Sequence, residues 1–240
     1  MNTYRKTAII VGVLFIVATV AGILSGVFGP NLNAQNYLAD LASNESKVIT
    51  GALLEFLMAI AVVGIAIAIF PVLKKLNERF ALGYVVARAV EGVLFIIGAI
   101  SLLTLLTLSQ ELATTTDASL FQTLGNLLSA VREWGGGVYS AIVFSLGSLT
   151  FYYLLHKSKL IPQWLSGWGL VGATLYLLSG FFPLFGHDSR STIYLILEAP
   201  LGLNEMVLAV WLIVKGFNPS AIASLSVKTE LNEKSLVYSK

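Results

Sequence analysis

Six apolar runs, each long enough to cross a bilayer and each closed by a short polar turn, constrain this chain more than any other feature. They cover residues 7–28, 48–73, 81–107, 134–155, 165–185 and 193–215. A hydrocarbon core about 30 Å thick needs about 20 apolar residues at 1.5 Å of rise each. In lipid every backbone N–H and C=O must be satisfied internally, so segments of this kind become helices. The expected fold class is therefore all-α: a polytopic membrane helix bundle of six transmembrane helices with an external amphipathic helix. Only 12% of the 240 residues are charged, about half the share usual in soluble domains. No polar stretch is long enough for a separate soluble domain. Residues 1–216 are read as one six-span membrane domain and 217–240 as a flexible cytoplasmic tail.

The residues that are missing narrow the chemistry. The chain has no cysteine, which removes disulfides, thiolate metal sites and cysteine nucleophiles. Its two histidines, His156 and His187, follow successive spans and so fall on opposite sides of the membrane, and no metal site and no cofactor is expected. No G-x-S-x-G, H-E-x-x-H or P-loop pattern occurs, and an enzyme is not the favoured reading. A formal charge of +2 gives no reason to expect nucleic acid.

The distribution of lysine and arginine sets an orientation. Arg5, Lys6, Lys74, Lys75, Arg79, Lys157, Lys159 and Lys215 flank the spans on one side, with the tail lysines; Lys47, Arg132 and Arg190 flank them on the other. The positive-inside rule then places both termini in the cytoplasm, with the first span uncleaved and the protein in a plasma membrane. On the outer side, Leu38 and Leu41 suggest a short helix lying at the surface between Pro30 and Lys47. Leu120, Phe121, Leu124, Leu127, Leu128 and Val131 repeat at helical spacing in the loop 109–133, with Asp117 as its N-cap. This amphipathic helix leads into Trp134 and Gly135-Gly136-Gly137, where three glycines imply a bend or a close helix contact.

Charged residues inside the spans are the candidate site. Glu198-Ala-Pro-Leu-Gly-Leu-Asn204-Glu205 places two acids, a proline and a glycine within the sixth span. Seven residues return a helix to within about 20° of the same direction, so Glu198 and Glu205 share a face. Pro200 removes one backbone donor, and broken spans carrying polar groups are how many transporters build their sites. A carboxylate in hydrocarbon costs roughly 2.5 kcal/mol or more and normally faces a bundle interior or a water-filled cavity. The third span carries Tyr84, Arg88, Glu91 and Phe95 on one face, and the second carries Glu55. From the outer face inward, the residues form a possible ladder of Glu133 and Arg132, then Glu55 and Glu198, then Glu205, Glu91 and Arg88. Asn204 adds a donor and an acceptor beside Glu205. The plain alternative is that Arg88 and Glu91 form an intrahelical pair, or that Arg88 and Glu205 clamp two spans together, with Glu55 solvated near the headgroups. Four buried acids against one buried base leave carboxylates that pairing does not neutralise, which suits cation binding or proton coupling.

Tyr4-Arg5-Lys6 ahead of the first span, Ala87-Arg88-Ala89-Val90-Glu91 in the third and Leu212-Ile213-Val214-Lys215-Gly216-Phe217 closing the sixth resemble an uncharacterised bacterial multi-pass membrane family, domain of unknown function 4386. The resemblance implies a bacterial inner-membrane protein and weight on Arg88 and Glu91, and it brings no activity, cofactor or substrate. The favoured expectation is binding or transport of a small solute or cation at Arg88, Glu91, Glu205, Glu198, Asn204 and Glu55. A non-enzymatic sensor or accessory subunit with a protein partner or homo-oligomer, or an intramembrane lipid-modifying enzyme, are the alternatives.

Overall fold

The computed structural model describes residues 2–34, 36–112, 118–187 and 191–225. The expected cap Asp117, the loop residue Arg190 and the chain from residue 226 on lie outside the described residues. Among the described residues these α-helices follow in order: α1 (Thr3–Phe28), α2 (Tyr37–Ser43), α3 (Glu45–Leu73), α4 (Glu78–Leu112), α5 (Ala118–Arg132), α6 (Ser140–Ser158), α7 (Gln163–Phe181) and α8 (Thr192–Val214), and residues 219–225 are helical as well. A π-helical stretch, Glu133–Tyr139, joins α5 to α6 without a break, and a 3-10 turn, Phe182–Phe185, ends α7. Among the described residues there is no strand, and six helical segments are long and apolar enough to span a membrane.

Local chemistry explains several helix ends. The Asn2 side chain accepts from the Tyr4 N–H and starts α1. Glu45 and Glu78 sit in the first turns of α3 and α4, where the helix dipole favours acids. Arg5 of α1 donates to the Leu212 carbonyl at 2.9 Å, and also to Ile213 and Val214, covering the orphan carbonyls at the end of α8. The first and last spans are thereby tied together at the end of the bundle that holds the N-terminus, called here the terminal end.

The six spans pack as a closed ring in chain order: α1 on α3, α3 on α4, α4 on α6, α6 on α7, α7 on α8, and α8 back on α1. Glycines permit two of these approaches. A Cβ on Gly12 would fall 2.7 Å from the Ala209 carbonyl, and one on Gly172 would fall 3.0 Å from the backbone of Leu201. The outer faces carry exposed Val27, Leu195 and Val214, the surface lipid would cover.

A ring of six helices has an interior to fill, and its two halves differ. Toward the terminal end aromatic rings close it: Tyr84 stacks on Phe151 at 4.9 Å, Phe151 meets Tyr152 edge-on at 5.2 Å, and Phe15 lies 6.2 Å from Phe151. In the opposite half the interior is not closed in this way. There α2 and α5 pack over α4, and Tyr37, Leu38 and Leu41 are buried with Leu102 and Leu105.

Three expectations change. The short helix α2 is not a free surface helix, because Leu102, Leu105 and Leu106 of the longer α4 cover its apolar side. The polar loop ahead of α5 is shorter than expected, since α4 runs on to Leu112. The span carrying Pro200 is not broken: α8 continues through it, losing one backbone donor and no more of its helix. The triple glycine combines both of its expected roles. It lies in the π-helical stretch, and a Cβ on Gly136 would come within 3.3 Å of the Gly98 Cα in α4.

Candidate functional site

Where the aromatic filling ends, the ring encloses a cavity of about 810 Å³. Leu32 and Asn33 of the loop before α2, with Asn126 and Ser129 of α5, line its mouth; Arg88, Glu91 and Glu205 form its floor. All seven charges of the expected ladder line this one cavity: Glu55, Arg88, Glu91, Arg132, Glu133, Glu198 and Glu205. Four different helices and the π-helical stretch contribute them, which only the closed ring brings about.

The floor is built around Arg88, which is 2% exposed. Its Nη1 donates to both oxygens of Glu91, at 3.1 and 2.8 Å, a contact that i, i+3 spacing on α4 allows. Its Nε donates to the Tyr84 hydroxyl at 3.2 Å, and its Nη2 to Glu205 Oε1 of α8 at 3.4 Å. The guanidinium also lies over the rings of Phe144, Tyr84 and Phe15, at 5.0, 5.6 and 6.0 Å. Arg88 is thus held from every side. Glu205 is held by one oxygen and keeps a side-chain exposure of 13% toward the cavity.

One wall holds a second pair. Glu55 of α3 lies 2.9 Å from Arg132, where α5 ends, and is 6% exposed. The contact is one of charge proximity rather than an aligned hydrogen bond, because the same Arg132 Nη1 donates to the Gly98 carbonyl. Glu55 is therefore buried and paired, not solvated near the headgroups.

Glu198 differs from the other acids. Among the described residues no cation lies within 4 Å of it, and its partner is the Ser179 hydroxyl of α7 at 3.1 Å. The same hydroxyl lies 2.8 Å from the Tyr176 carbonyl, and one proton serves one acceptor at a time. Asn204 stands apart from the cavity. It is fully buried against α7, donating to the Leu165 carbonyl at 2.9 Å, and its Oδ1 has no hydrogen-bond partner among the described residues. Sequence reasoning did not single out Phe144, Tyr176 and Ser179, which line the cavity with Glu198. A lone hydroxyl or ring in an apolar span reads as packing, and no pattern marks these three.

These features define a class: a multi-pass helical membrane protein whose ring of spans encloses a half-open, charged cavity. The family model described as a domain of unknown function (DUF4386) matches residues 10–216, and the chain belongs to that family. No curated protein and no solved structure matches it.

Proposed function

We propose that the cavity binds a small cationic solute and that the protein moves this solute across the membrane. One observation carries the reading: among the described residues, Glu55, Glu91, Glu198 and Glu205 line one cavity within the bundle with Arg88 and Arg132, and Glu198 has no cation within 4 Å. Carboxylates withdrawn from water are costly unless something positive joins them. A cation entering from the mouth supplies that charge.

A purely structural role accounts for part of the floor, since Arg88 is saturated by Glu91 and Glu205 as a clamp between α4 and α8 would be. It does not account for an open cavity beside the clamp or for a carboxylate at Glu198, whose contact to α7 is one neutral hydroxyl. Transport adds the requirement that the aromatic filling below Arg88 part during the cycle, and it draws support from the cavity's depth. The terminal end carries Arg5, Lys6, Lys74, Lys75, Arg79, Lys157, Lys159 and Lys215, so our reading places that end in the cytoplasm of a bacterial cell and the mouth outside. Asn204 is not part of the proposed site; Glu55, Arg88 and Glu91 shape it, and Glu198 and Glu205 bind.

The test uses purified protein in lipid nanodiscs, titrated with monovalent inorganic cations and small alkylamines by calorimetry. Saturable binding that weakens in Glu198→Gln supports the reading; absence of binding by any cation overturns it. Flux into proteoliposomes then separates transport from binding alone. Orientation is read by placing single cysteines at Thr123 and at Ser158 in this cysteine-free chain. A membrane-impermeant maleimide should label only the first in intact cells.

A further inference from the structure

We infer that the solute is a linear dication, an α,ω-diamine, lying along the face of α8 that carries Glu198, Gly202 and Glu205. The inference rests on the cation-binding reading and names the ligand class for the same cavity.

Counting charge by level leads there. On the wall, Arg132 balances Glu55. On the floor, one guanidinium meets two carboxylates, and Glu91 takes both contacts to Nη1, which leaves the excess negative charge on Glu205. Higher up, Glu198 has a hydroxyl neighbour and no cation among the described residues. Two uncompensated negative charges therefore sit at two separate levels, both within the cavity lining. Their Cα atoms are seven residues apart on one helix face, about 10.5 Å along the axis.

The space between them is kept open. Gly202 lies on the same face between the two acids and lines the cavity, and a Cβ placed on it would meet nothing within 4 Å. A side chain at this position would fill the corridor. Phe144 and Tyr176, edge to face at 5.1 Å, supply an apolar wall to the same cavity for the methylene chain and π faces for its ammonium ends. Two ammonium groups joined by methylenes match two carboxylates joined by an apolar corridor. A single small cation meets only one of the two charges.

The experiment titrates the nanodisc-embedded protein with diamines from propane to decane length, with butylamine and sodium as single-charge controls. The expected result is an affinity optimum at one chain length. At that length each of Glu198→Gln and Glu205→Gln weakens binding about tenfold or more. Gly202→Leu, whose Cβ meets nothing within 4 Å and which improves helix propensity, should abolish diamine binding while sparing sodium or butylamine binding. If monoamines bind as tightly as diamines, affinity ignores chain length, or Gly202→Leu has no effect, the inference falls and the cationic cavity stands. If no cation binds, both fall. Should Glu205→Gln fail to fold, Glu198→Gln and Gly202→Leu still decide the matter.

Discussion

Glu91→Gln and Glu205→Gln are the same chemical change on two carboxylates that share one guanidinium, and the structure makes their consequences unequal. Glu91 is 2% exposed and receives two contacts from Arg88 Nη1, at 3.1 and 2.8 Å. A glutamine there keeps one acceptor and turns an amide toward the guanidinium, so Arg88 remains buried with its closest counter-charge gone. Removing one partner of a buried ion pair costs about 3–5 kcal/mol. Glu205 contacts Nη2 through one oxygen at 3.4 Å and is partly exposed to the cavity. A glutamine carbonyl preserves that acceptor, and the loss should be about 1 kcal/mol. The expected gap is therefore about 2–4 kcal/mol, with Glu91→Gln the more damaging. Reversible unfolding in mixed micelles of increasing SDS fraction, followed by far-ultraviolet circular dichroism, measures it. The double change Arg88→Met with Glu91→Met should recover much of the loss, since apolar replacement of a whole buried pair is often near neutral. Equal destabilisation by the two glutamines, within about 0.5 kcal/mol, would refute this account of the floor.

Other perturbations test the surrounding architecture. A methyl group at Gly98 would sit 2.7 Å from Glu55 Oε1 and 3.4 Å from Arg132 Nη1. Gly98→Ala should part that pair and cost about 1–3 kcal/mol in the same unfolding assay. Arg5→Gln uncovers the last carbonyls of α8 and should lower stability by about 1–2 kcal/mol, with faster hydrogen exchange confined to the ends of α1 and α8. The Tyr37 hydroxyl donates to Asn126 Oδ1 at 3.2 Å, fastening α2 to α5 at the cavity mouth. Tyr37→Phe should cost about 1 kcal/mol and speed exchange in α5 while leaving the Arg88 floor protected.

How far the site could be read in advance differs from residue to residue. Arg88 and Glu91 were legible as a pair because both lie on α4, where spacing fixes geometry. Glu198 and Glu205 were legible as sharing a face for the same reason. Arg132 and Glu55 were legible only as successive rungs of the ladder, since the two stand on α5 and α3 and their contact depends on how those helices pack. Asn204 follows Glu198 by six residues but precedes Glu205 by one, a step of about 100° that turns it from the cavity to α7. Phe144, Tyr176 and Ser179 gave no signal because their role comes from neighbours on other helices.

By itself the sequence determined the six spans, the all-helical class, the absence of cysteine chemistry and the presence of acids within the apolar runs. These follow from local quantities: hydrophobic length, backbone satisfaction in lipid and helical period. The tertiary structure alone decided that the spans close into a ring, that aromatic side chains fill one half of it, and that the charges line the other half around a cavity. Apolar helices in lipid look alike on every side, so hydrophobicity does not select their neighbours. That choice is made by small-residue contacts such as Gly12 on Ala209 and Gly172 on Leu201, and by the polar contacts of Arg5, Arg88 and Arg132, which form only when distant segments meet.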